Sequence, residues 1–429
     1  MGQNFVRFGM HMADSYRQGR GMLLIAAPGQ GAQAPGFLRE WLELPGFAER
    51  IGSWSELAGC DLVRCGTVAD ADEIRDTAIA QPLLVAAAIA AAAELLSGHT
   101  DGPEPPGRLA DGAAAAGIGA AAGHSVGELG AGVIAGTLPP EDAMRLVGVR
   151  GRAMARAAAA VATGMTAVLG GEESEVLASI EAHGLTPANV NGAGQIVAAG
   201  ASDRLEALAA DPPPKARLRP LSVAGAFHTT YMEPAVAALR DAAADVTPKD
   251  PVLMLLSNRD GSVVRSGVDW LERIVAQVSV PVRWDRCMET MASLGVTTLI
   301  ELPPAGTLAG LARRALPGVP ALALKSPADL DAARALLAAP DDHSDAHAPD
   351  WRLLVAPLAG TFRAPAPGPA AGPGATVNSG AELGHVETRG GSHTVSPSFG
   401  ATILEWLVED GDPVSAGQPL VRLQPGGNE

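Results

Sequence analysis

A serine between two glycines places the strongest constraint on how this 429-residue chain can fold. The segment Gly123-His124-Ser125-Val126-Gly127 follows a run of small residues. Glycines at these positions allow a sharp turn from a strand into a helix, where bulkier neighbours would clash. Such a turn lifts the serine hydroxyl into a cleft beside a helix N-terminus, whose free N–H groups stabilise an oxyanion. The segment therefore predicts an α/β core with Ser125 as nucleophile, although the pentapeptide also arises by chance among 51 glycines.

A nucleophilic serine needs a base, and His228 is the best candidate among the nine histidines. Imidazole titrates near neutral pH, where a serine hydroxyl has to lose its proton. His228 follows the apolar run 222–227, and the ends of strands line the active cleft in α/β folds. We therefore predict that His228 lies at the end of a strand and acts as the base. A capped histidine in the core is the alternative.

An arginine on an apolar helix face is the next chemical feature. A helix is predicted over 138–160, because two prolines suit its first turn and two acidic residues complement its dipole. Arg150 projects from the apolar side of this helix. Its neighbours at spacings of three and four are Leu146, Val147, Ala153 and Met154. A buried guanidinium needs an anion, which is either a carboxylate of the protein or that of a dicarboxylic acyl substrate held by the planar fork.

Further segments accompany these three features in a fixed order between about Met22 and about Pro327. They are Pro28-Gly29-Gln30-Gly31-Ala32-Gln33, Gln81-Pro82, the 123–128 segment, Arg150-Gly151, Asn189-Val190-Asn191, Gln195-Ile196-Val197-Ala198-Ala199-Gly200, Gly225-Ala226-Phe227-His228, Ser257-Asn258, and Gln277 ahead of Pro281-Val282-Arg283-Trp284. This series resembles the malonyl-CoA:acyl-carrier-protein transacylases, which load dissociated fatty-acid and polyketide synthases. The chain departs from the family pattern at residues 301–306, where the common form is closer to E-x-G-P-G.

The resemblance implies an acyltransferase that works by a ping-pong mechanism. Ser125 would be acylated, His228 would act as general base and then as general acid, and Arg150 would hold the malonyl carboxylate. The malonyl group would pass from malonyl-CoA to Ser125 and then to the phosphopantetheine thiol of an acyl carrier protein. We expect no metal ion and no cofactor besides these substrates.

The resemblance also assigns the surroundings of the nucleophile. The backbone N–H groups of Gln30 and Val126 would form the oxyanion hole, and a backbone carbonyl near Gln277 would orient the histidine in place of an acidic residue. A bulky ring at Phe227 would leave little room for an α-methyl branch on the acyl group, a selection worth only about 1–3 kcal/mol. The other side chains expected to line the site are those of Gln81, His124 and Gln277.

The expected fold is an α/β-hydrolase-like core that carries an inserted subdomain. Residues 22–160 and 224–330 would form the core. A β-α-β-β-α-β pattern over 161–223 predicts a ferredoxin-like subdomain. A polar leader at 1–21 is predicted to be disordered, and a linker is predicted at 331–349.

The segment 350–429 contains an internal repeat that predicts a separate all-β domain. Val355-x-Pro357-x-x-Gly360 recurs as Val395-x-Pro397-x-x-Gly400, and Val377-x-x-Gly380-x-x-Leu383 recurs as Val414-x-x-Gly417-x-x-Leu420. Two similar halves of this kind resemble the flattened barrel of biotinyl and lipoyl carrier domains.

The carrier resemblance fails at the residue that would hold a cofactor. Gly390 stands where the carrier lysine is expected, and the three lysines of the chain are Lys215, Lys249 and Lys325, all outside this domain. Without an amine there is no amide to biotin or lipoate. We hypothesise instead that the domain binds a carboxylase subunit that supplies malonyl-CoA. A relict or solubility module is the alternative.

Charge and hydropathy exclude several classes of protein. A net charge of −16 argues against nucleic acid and anionic membrane surfaces as partners. We find no apolar run near the roughly 20 residues that span a bilayer and no signal-peptide core, so a cytoplasmic protein is expected. The three cysteines show no metal-ligand spacing. An acidic carrier protein would need a local basic patch, for which Arg313 and Arg314 are candidates.

Other functions fit parts of this sequence. A serine hydrolase or thioesterase also uses G-x-S-x-G, but its histidine normally follows an acidic triad member late in the chain, and Arg150 would then have no task. The malonyltransferase of a malonate decarboxylase shares the same chemistry. A non-catalytic scaffold is suggested by the carrier-like domain without its lysine.

Overall fold

The fold is described from a computed structural model that covers two compact units, Met1–Pro340 and Asp341–Glu429. The predicted leader, up to residue 20, and the predicted linker from residue 339 onward lie outside the described residues. Those residues are 21–97, 108–223, 225–338, 352–364, 372, 374–388, 390–397, 399–408, 410–414 and 418–425.

The first unit alternates helices with strands. Its described strands are β1 (Met22–Ala27), β2 (Ile118–Gly123), β3 (Thr163–Gly170), β4 (Thr186–Gly192), β5 (Gln195–Ala201), β6 (Ala216–Pro220), β7 (Met254–Leu256), β8 (Val263–Val264), β9 (Val282–Arg283), β10 (Val296–Glu301) and β11 (Ala321–Ala323). Its described α-helices are α1 (Phe47–Ala58), α2 (Leu62–Thr67), α3 (Thr77–Leu96), α4 (Arg108–Ala115), α5 (Gly127–Ile134), α6 (Pro140–Ala160), α7 (Glu173–Ala182), α8 (Ser202–Ala210), α9 (Glu233–Ala243), α10 (Gly267–Gln277), α11 (Trp284–Ser293), α12 (Thr307–Ala315) and α13 (Leu330–Ala338). Short 3-10 helices lie at Trp41–Glu43, Glu73–Arg75, Thr230–Met232 and Pro327–Asp329.

A six-stranded sheet in the order β11-β10-β1-β2-β7-β8 forms the core. Its pairs are parallel except for β7 with β8. Alternate residues of β1 belong to different hydrophobic clusters, Ile25 to one and Leu24 to the other, because successive side chains point to opposite faces. Both faces are therefore covered, as is usual for parallel sheets, and the carboxyl ends of β1 and β2 meet at one edge.

Helix α3 is buried on nearly all sides, and it corrects one expectation. The helix begins at Thr77, where the Asp76 side chain accepts a hydrogen bond from the N–H of Ala78 at 2.8 Å. Among the described residues it is the one helix long and apolar enough to cross a membrane, so the expectation of no such run is wrong. Of the apolar stretch of this helix, 89% is buried inside the protein.

The segment after α6 has the succession β3-α7-β4-β5-α8-β6 that the sequence predicted. These strands form an antiparallel sheet, and β9 of the core adds to it beside β4 in parallel, giving the order β6-β3-β5-β4-β9. The last strand of the pattern predicted over 161–223 is β6, which ends at Pro220. The edge of this sheet next to β4 is therefore formed by β9, which lies more than 60 residues after Pro220 in the chain.

The start of the predicted linker at residue 331 is wrong. Helix α13 covers Leu330–Ala338, and Leu330 and Ala333 are buried against the main core. Leu336 and Leu337 pack partly buried against the same core, so apolar residues at helical spacing form a core-facing side of this short helix.

The second unit consists of two four-stranded sheets in its described part. Their orders are β12-β19-β17-β14 and β16-β15-β13-β18. The strands are β12 (Arg352–Val355), β13 (Gly360–Arg363), β14 (Thr376–Val377), β15 (His385–Thr388), β16 (Gly391–Thr394), β17 (Ala401–Trp406), β18 (Pro413–Val414) and β19 (Pro419–Pro425).

The sequence repeat of this unit corresponds to a structural exchange between its halves. Val377 of the first half pairs with Ala401 of the second, and Val414 of the second half pairs with Gly360 of the first. Each half therefore completes a sheet begun by the other. The repeat position Gly417 lies outside the described residues.

Candidate active site

The turn between β2 and α5 carries Ser125 as the glycine pattern predicted. Ser125 has a φ of 51°, in the left-handed region that side chains other than glycine seldom adopt. A Cβ on Gly123 would collide with the backbone of Gly127, and a Cβ on Gly127 would collide with the carbonyl of Ala27. The two glycines are therefore what allows strand, turn and helix to approach this closely.

Ser125 and His228 lie in direct contact. The Ser125 Oγ and the His228 Nε2 are 2.7 Å apart, and the His228 Nδ1 lies 2.8 Å from the backbone carbonyl oxygen of Gln277. A carbonyl only accepts, so Nδ1 carries the hydrogen and Nε2 is free to accept the serine proton. The structure therefore brings together the two residues that the sequence analysis paired, with a backbone carbonyl beside the histidine.

The position of His228 at the end of a strand was predicted wrongly. Strand β6 ends at Pro220, and His228 lies in a turn with a φ of 61°. Its N–H donates to the carbonyl of Val278 at 3.1 Å, which ties this turn to the end of α10. Burial, followed by the charge of Arg150, lowers the pKa of His228 from 6.5 to about 3, so its imidazole is neutral at physiological pH.

Arg150 is 1% exposed and lies beside this pair. Its guanidinium donates to the Gln81 Oε1 at 2.6 Å, to the Gln277 Oε1 at 2.8 Å and to the Ser125 Oγ at 3.4 Å. None of its hydrogen-bond partners among the described residues is a carboxylate, although the charge of Glu128 raises its pKa, and its Nε has no hydrogen-bond partner there. Burial lowers the pKa of Arg150 to about 10, which leaves it protonated at neutral pH.

Two residues of this network, Asn258 and Glu128, were not singled out from the sequence. The Asn258 Oδ1 accepts from the Ser125 N–H at 2.6 Å, and its Nδ2 donates to the Gly123 carbonyl at 2.7 Å, so it holds both ends of the turn. The buried Glu128 accepts from the Asn258 N–H at 3.0 Å. Both lie in segments on which the family resemblance is based, and this resemblance was the sequence feature that could have identified them.

The remaining predicted residues surround the nucleophile in different ways. The Nε2 of His124 lies 2.8 Å from the Asn191 Oδ1, away from Ser125, and burial lowers its pKa. Phe227, 5% exposed, packs in the main core directly before His228. His124 is therefore neutral, and Phe227 places an apolar side chain next to the histidine in the chain.

The two predicted oxyanion donors occupy adjoining segments. Val126 begins the first turn of α5, and Gln30 follows Gly29, at which a Cβ would lie 2.8 Å from the His124 carbonyl oxygen. Within the ranges that the structure describes, neither backbone N–H donates to another group. The Gln30 side chain donates to the Thr77 Oγ1 at 3.3 Å.

Among the described residues no group of three or more histidine, cysteine or acidic side chains could hold a metal ion. The three cysteines are free thiols. The residues brought together at the site are a serine in contact with a neutral histidine and a buried guanidinium. This arrangement suits covalent transfer of an acyl group that carries a carboxylate.

Comparison with known proteins gives one family. The model of the acyl transferase domain matches residues 26–324. The malonyl CoA-acyl carrier protein transacylase of Mycobacterium bovis is 51% identical over 315 residues, 72% of this chain and 98% of that protein. The crystal structure of MCAT from Mycobacterium tuberculosis is also 51% identical, with a TM-score of 0.68 over 73% of this chain and 99% of that one. A type II PKS acyl-carrier protein in complex with its malonyl-transacylase gives 27% identity and a TM-score of 0.64, over 73% and 99%.

Proposed function

The chain belongs to the family of malonyl CoA-acyl carrier protein transacylases, and from this premise we propose that Ser125 carries the malonyl group between its two thiols. The protein is an acyltransferase that moves a malonyl group from malonyl-CoA to an acyl carrier protein. The observation that supports the assignment of residues is the contact of Ser125 with both a neutral histidine and a buried arginine.

In the first half-reaction, the His228 Nε2 takes the proton of the Ser125 hydroxyl as Oγ attacks the thioester carbonyl of malonyl-CoA. The carbonyl oxygen becomes an oxyanion, which the N–H groups of Gln30 and Val126 stabilise. The C–S bond then breaks, and the CoA sulfur leaves with the proton from His228. Ser125 is left as a malonyl ester.

In the second half-reaction the phosphopantetheine thiol of the carrier protein takes the place of CoA. His228 accepts the thiol proton while the sulfur attacks the ester carbonyl of malonyl-Ser125. The same two N–H groups stabilise the second oxyanion, the ester C–O bond then breaks, and the departing Ser125 oxygen recovers its proton from His228. Because both half-reactions use one base, the orientation of its ring by the Gln277 carbonyl serves both.

Arg150 would select the acyl group through its charge. Its described hydrogen-bond partners are two amides and the Ser125 hydroxyl, so the malonyl carboxylate would be the first anion to bind the guanidinium directly. That carboxylate would also cancel the charge that lowers the pKa of His228, which makes the imidazole a better base when the correct donor is bound. Phe227 would add a weaker selection against an α-methyl branch.

This function is tested on the wild-type protein by intact-mass spectrometry after brief exposure to malonyl-CoA. We expect an adduct of roughly 86 Da that disappears when a phosphopantetheinylated carrier protein is added. Two matched donors should label the protein more slowly. Acetyl-CoA lacks the carboxylate, and methylmalonyl-CoA carries an extra methyl group. Absence of any adduct, or its loss to water as fast as to the carrier protein, would contradict the transferase assignment.

The finer architecture supports three interpretations. We propose that the antiparallel insert after α6 is a ferredoxin-like subdomain, that the central sheet is α/β-hydrolase-like, and that the C-terminal unit is a biotinyl/lipoyl-like barrel. The order β6-β3-β5-β4 supports the first, and the exchange of strands between the two halves supports the third. We further propose a cytoplasmic enzyme that serves fatty-acid or polyketide synthesis and carries neither biotin nor lipoate.

The C-terminal unit is proposed to bind a carboxylase subunit. Two features support this: the carrier-like repeat, and the absence of lysine from 350–429, which leaves binding without cofactor attachment. Deleting residues 350–429 should leave kcat/KM for malonyl transfer within about twofold, because the acyltransferase residues lie in the other unit.

The same deletion should abolish retention of purified carboxylase subunits in a pull-down with the tagged protein. The full-length chain carrying Ser125→Ala is the control, since it lacks transfer activity but keeps the C-terminal unit. Equal retention by the full-length and truncated proteins would end the carboxylase hypothesis.

A further inference from the structure

Glu128 is a buried carboxylate with both of its oxygens in use. It lies in the first turn of α5, three residues after Ser125, and is 1% exposed. Its Oε1 accepts from the backbone N–H of Asn258 at 3.0 Å, and its Oε2 accepts from the Gln277 Nε2. The mechanism above gives this residue no task, although both donors that it satisfies also contact the Ser125 backbone.

The side-chain amide of Gln277 has one orientation that suits its neighbours. Its Nε2 donates to Glu128 and to the Ser125 carbonyl at 3.1 Å, and its Oε1 accepts from Arg150 at 2.8 Å. If the amide were reversed, its NH2 group would face a guanidinium, which only donates, and its oxygen would face two acceptors. Glu128 and the Ser125 carbonyl therefore turn the amide oxygen toward Arg150.

We propose that Glu128 is a positioning residue for malonyl recognition, which holds the amide of Gln277 so that Gln277 in turn orients the guanidinium of Arg150. This inference rests on the proposed role of Arg150 in binding the malonyl carboxylate. It assigns Glu128 an effect on the choice of acyl group and none on the attack by Ser125.

Glu128→Gln separates these two effects because an amide offers one acceptor where a carboxylate offers two. The Asn258 N–H is fixed in the backbone, so the oxygen of the new side chain stays with it. The NH2 group then meets the Gln277 NH2, and Gln277 has to turn over. Its NH2 group would face Arg150 and displace the guanidinium, whereas Asn258 keeps its bond to the Gly123 carbonyl.

The experiment compares kcat/KM for malonyl-CoA and for acetyl-CoA, which lacks the carboxylate, at about pH 9, where Glu128 is ionised. In Glu128→Gln we expect the malonyl value to fall about tenfold or more and the acetyl value to stay within about threefold. Gln277→Leu, which removes the link, should lower the malonyl-to-acetyl ratio similarly, and the double variant should lower it no further than Gln277→Leu alone. An equal fall for both donors, no fall, or additive effects would overturn the proposal.

Glu301→Gln is the matched control. Glu301 is likewise buried and accepts from the backbone N–H groups of Gly306, Leu308 and Ala309, but it has no hydrogen bond to a group named in the site. It should lower thermal stability while leaving the malonyl-to-acetyl ratio unchanged. A similar change of ratio in Glu301→Gln would show that loss of stability alone produces the effect.

A pH profile of the wild-type protein tests the proposal even if Glu128→Gln does not fold. Burial raises the pKa of Glu128 to about 8, and the charged or titratable groups around it are Arg150, Arg273 and the Cys287 thiol. Below this pKa a protonated oxygen becomes a donor, which removes one acceptor from Gln277. The ratio of kcat/KM for malonyl-CoA to acetyl-CoA should therefore rise with pH between about 5.5 and about 9, while the pKa of Arg150 at about 10 keeps it charged.

The pKa of His228 in the free enzyme, about 3, lies well below this range, so its titration does not produce the change of ratio. A constant ratio over that whole range would overturn the proposal. Failure of the proposed function would look different: Arg150→Ala would then keep the preference for malonyl-CoA, whatever Glu128→Gln does.

Discussion

Ser125→Ala is expected to lower the rate of malonyl transfer by a factor on the order of 10⁴ or more and to abolish the malonyl adduct. We expect the backbone of the turn to be unchanged in this variant. Alanine and serine have similar backbone preferences, and the hydrogen bond from the backbone N–H of residue 125 to the Asn258 Oδ1 does not involve Oγ. The loss of one hydroxyl removes the atom that forms the ester. Intact-mass spectrometry after exposure to malonyl-CoA and a transfer assay with the carrier protein measure both effects.

The matched control for Ser125→Ala is Ser293→Ala. Ser293 is exposed at the end of α11, where its hydroxyl donates to the carbonyl of Thr290. This variant should acquire the adduct at the wild-type rate, and the melting temperatures of both variants should stay within about 4 °C of wild type. Persistence of the malonyl adduct in Ser125→Ala would show that another residue is the nucleophile.

Arg150→Ala is expected to lower kcat/KM for malonyl-CoA by about 10²- to 10³-fold, the loss typical of a buried charge pair with one partner removed. The value for acetyl-CoA should hold or rise, because removing the guanidinium also removes a charge that lowers the pKa of His228. The base then becomes stronger while the carboxylate loses its partner. The two values measured on one protein preparation give the preference directly.

Arg152→Ala is the control on the same helix. Arg152 is half-buried and donates to the Ala58 carbonyl at 2.8 Å, so its removal also takes an arginine from a helix interface. It should leave the malonyl-to-acetyl ratio unchanged. If Arg150→Ala lowered kcat/KM equally for malonyl-CoA and acetyl-CoA, Arg150 would only stabilise the structure. Other residues would then select the malonyl group.

Features that depend on neighbouring residues were predictable from the sequence. The strand, turn and helix around Ser125 follow from two glycines and a run of small residues, and the burial of Arg150 follows from apolar neighbours at helical spacing. The order of elements from β3 to β6 was likewise predicted, with strand ends shifted by a few residues. Backbone geometry and helical periodicity act over a few positions, so single segments carry this information.

Some local predictions were wrong where tertiary packing decided the outcome. The apolar run before His228 forms no strand, since the chain leaves the sheet at Pro220 and enters a turn held by Val278. Helix α13 extends into the predicted linker because its apolar side is buried against the main core. The composition of the run before His228 is compatible with a strand or a turn, and that of residues 330–338 with a helix or a linker.

The sequence by itself determined the turn that carries Ser125, the burial of Arg150 and the repeat of the C-terminal unit, and it predicted the pairing of Ser125 with His228. Only the tertiary structure decided how these groups act together, because Gln277 lies 127 residues from Arg150 and 152 residues from Ser125 along the chain. Its amide orientation depends on which groups donate and which accept around it, and Glu128 is one of them. Hydrogen-bond complementarity of this kind is a property of groups brought together by folding, so no spacing in the sequence could contain it.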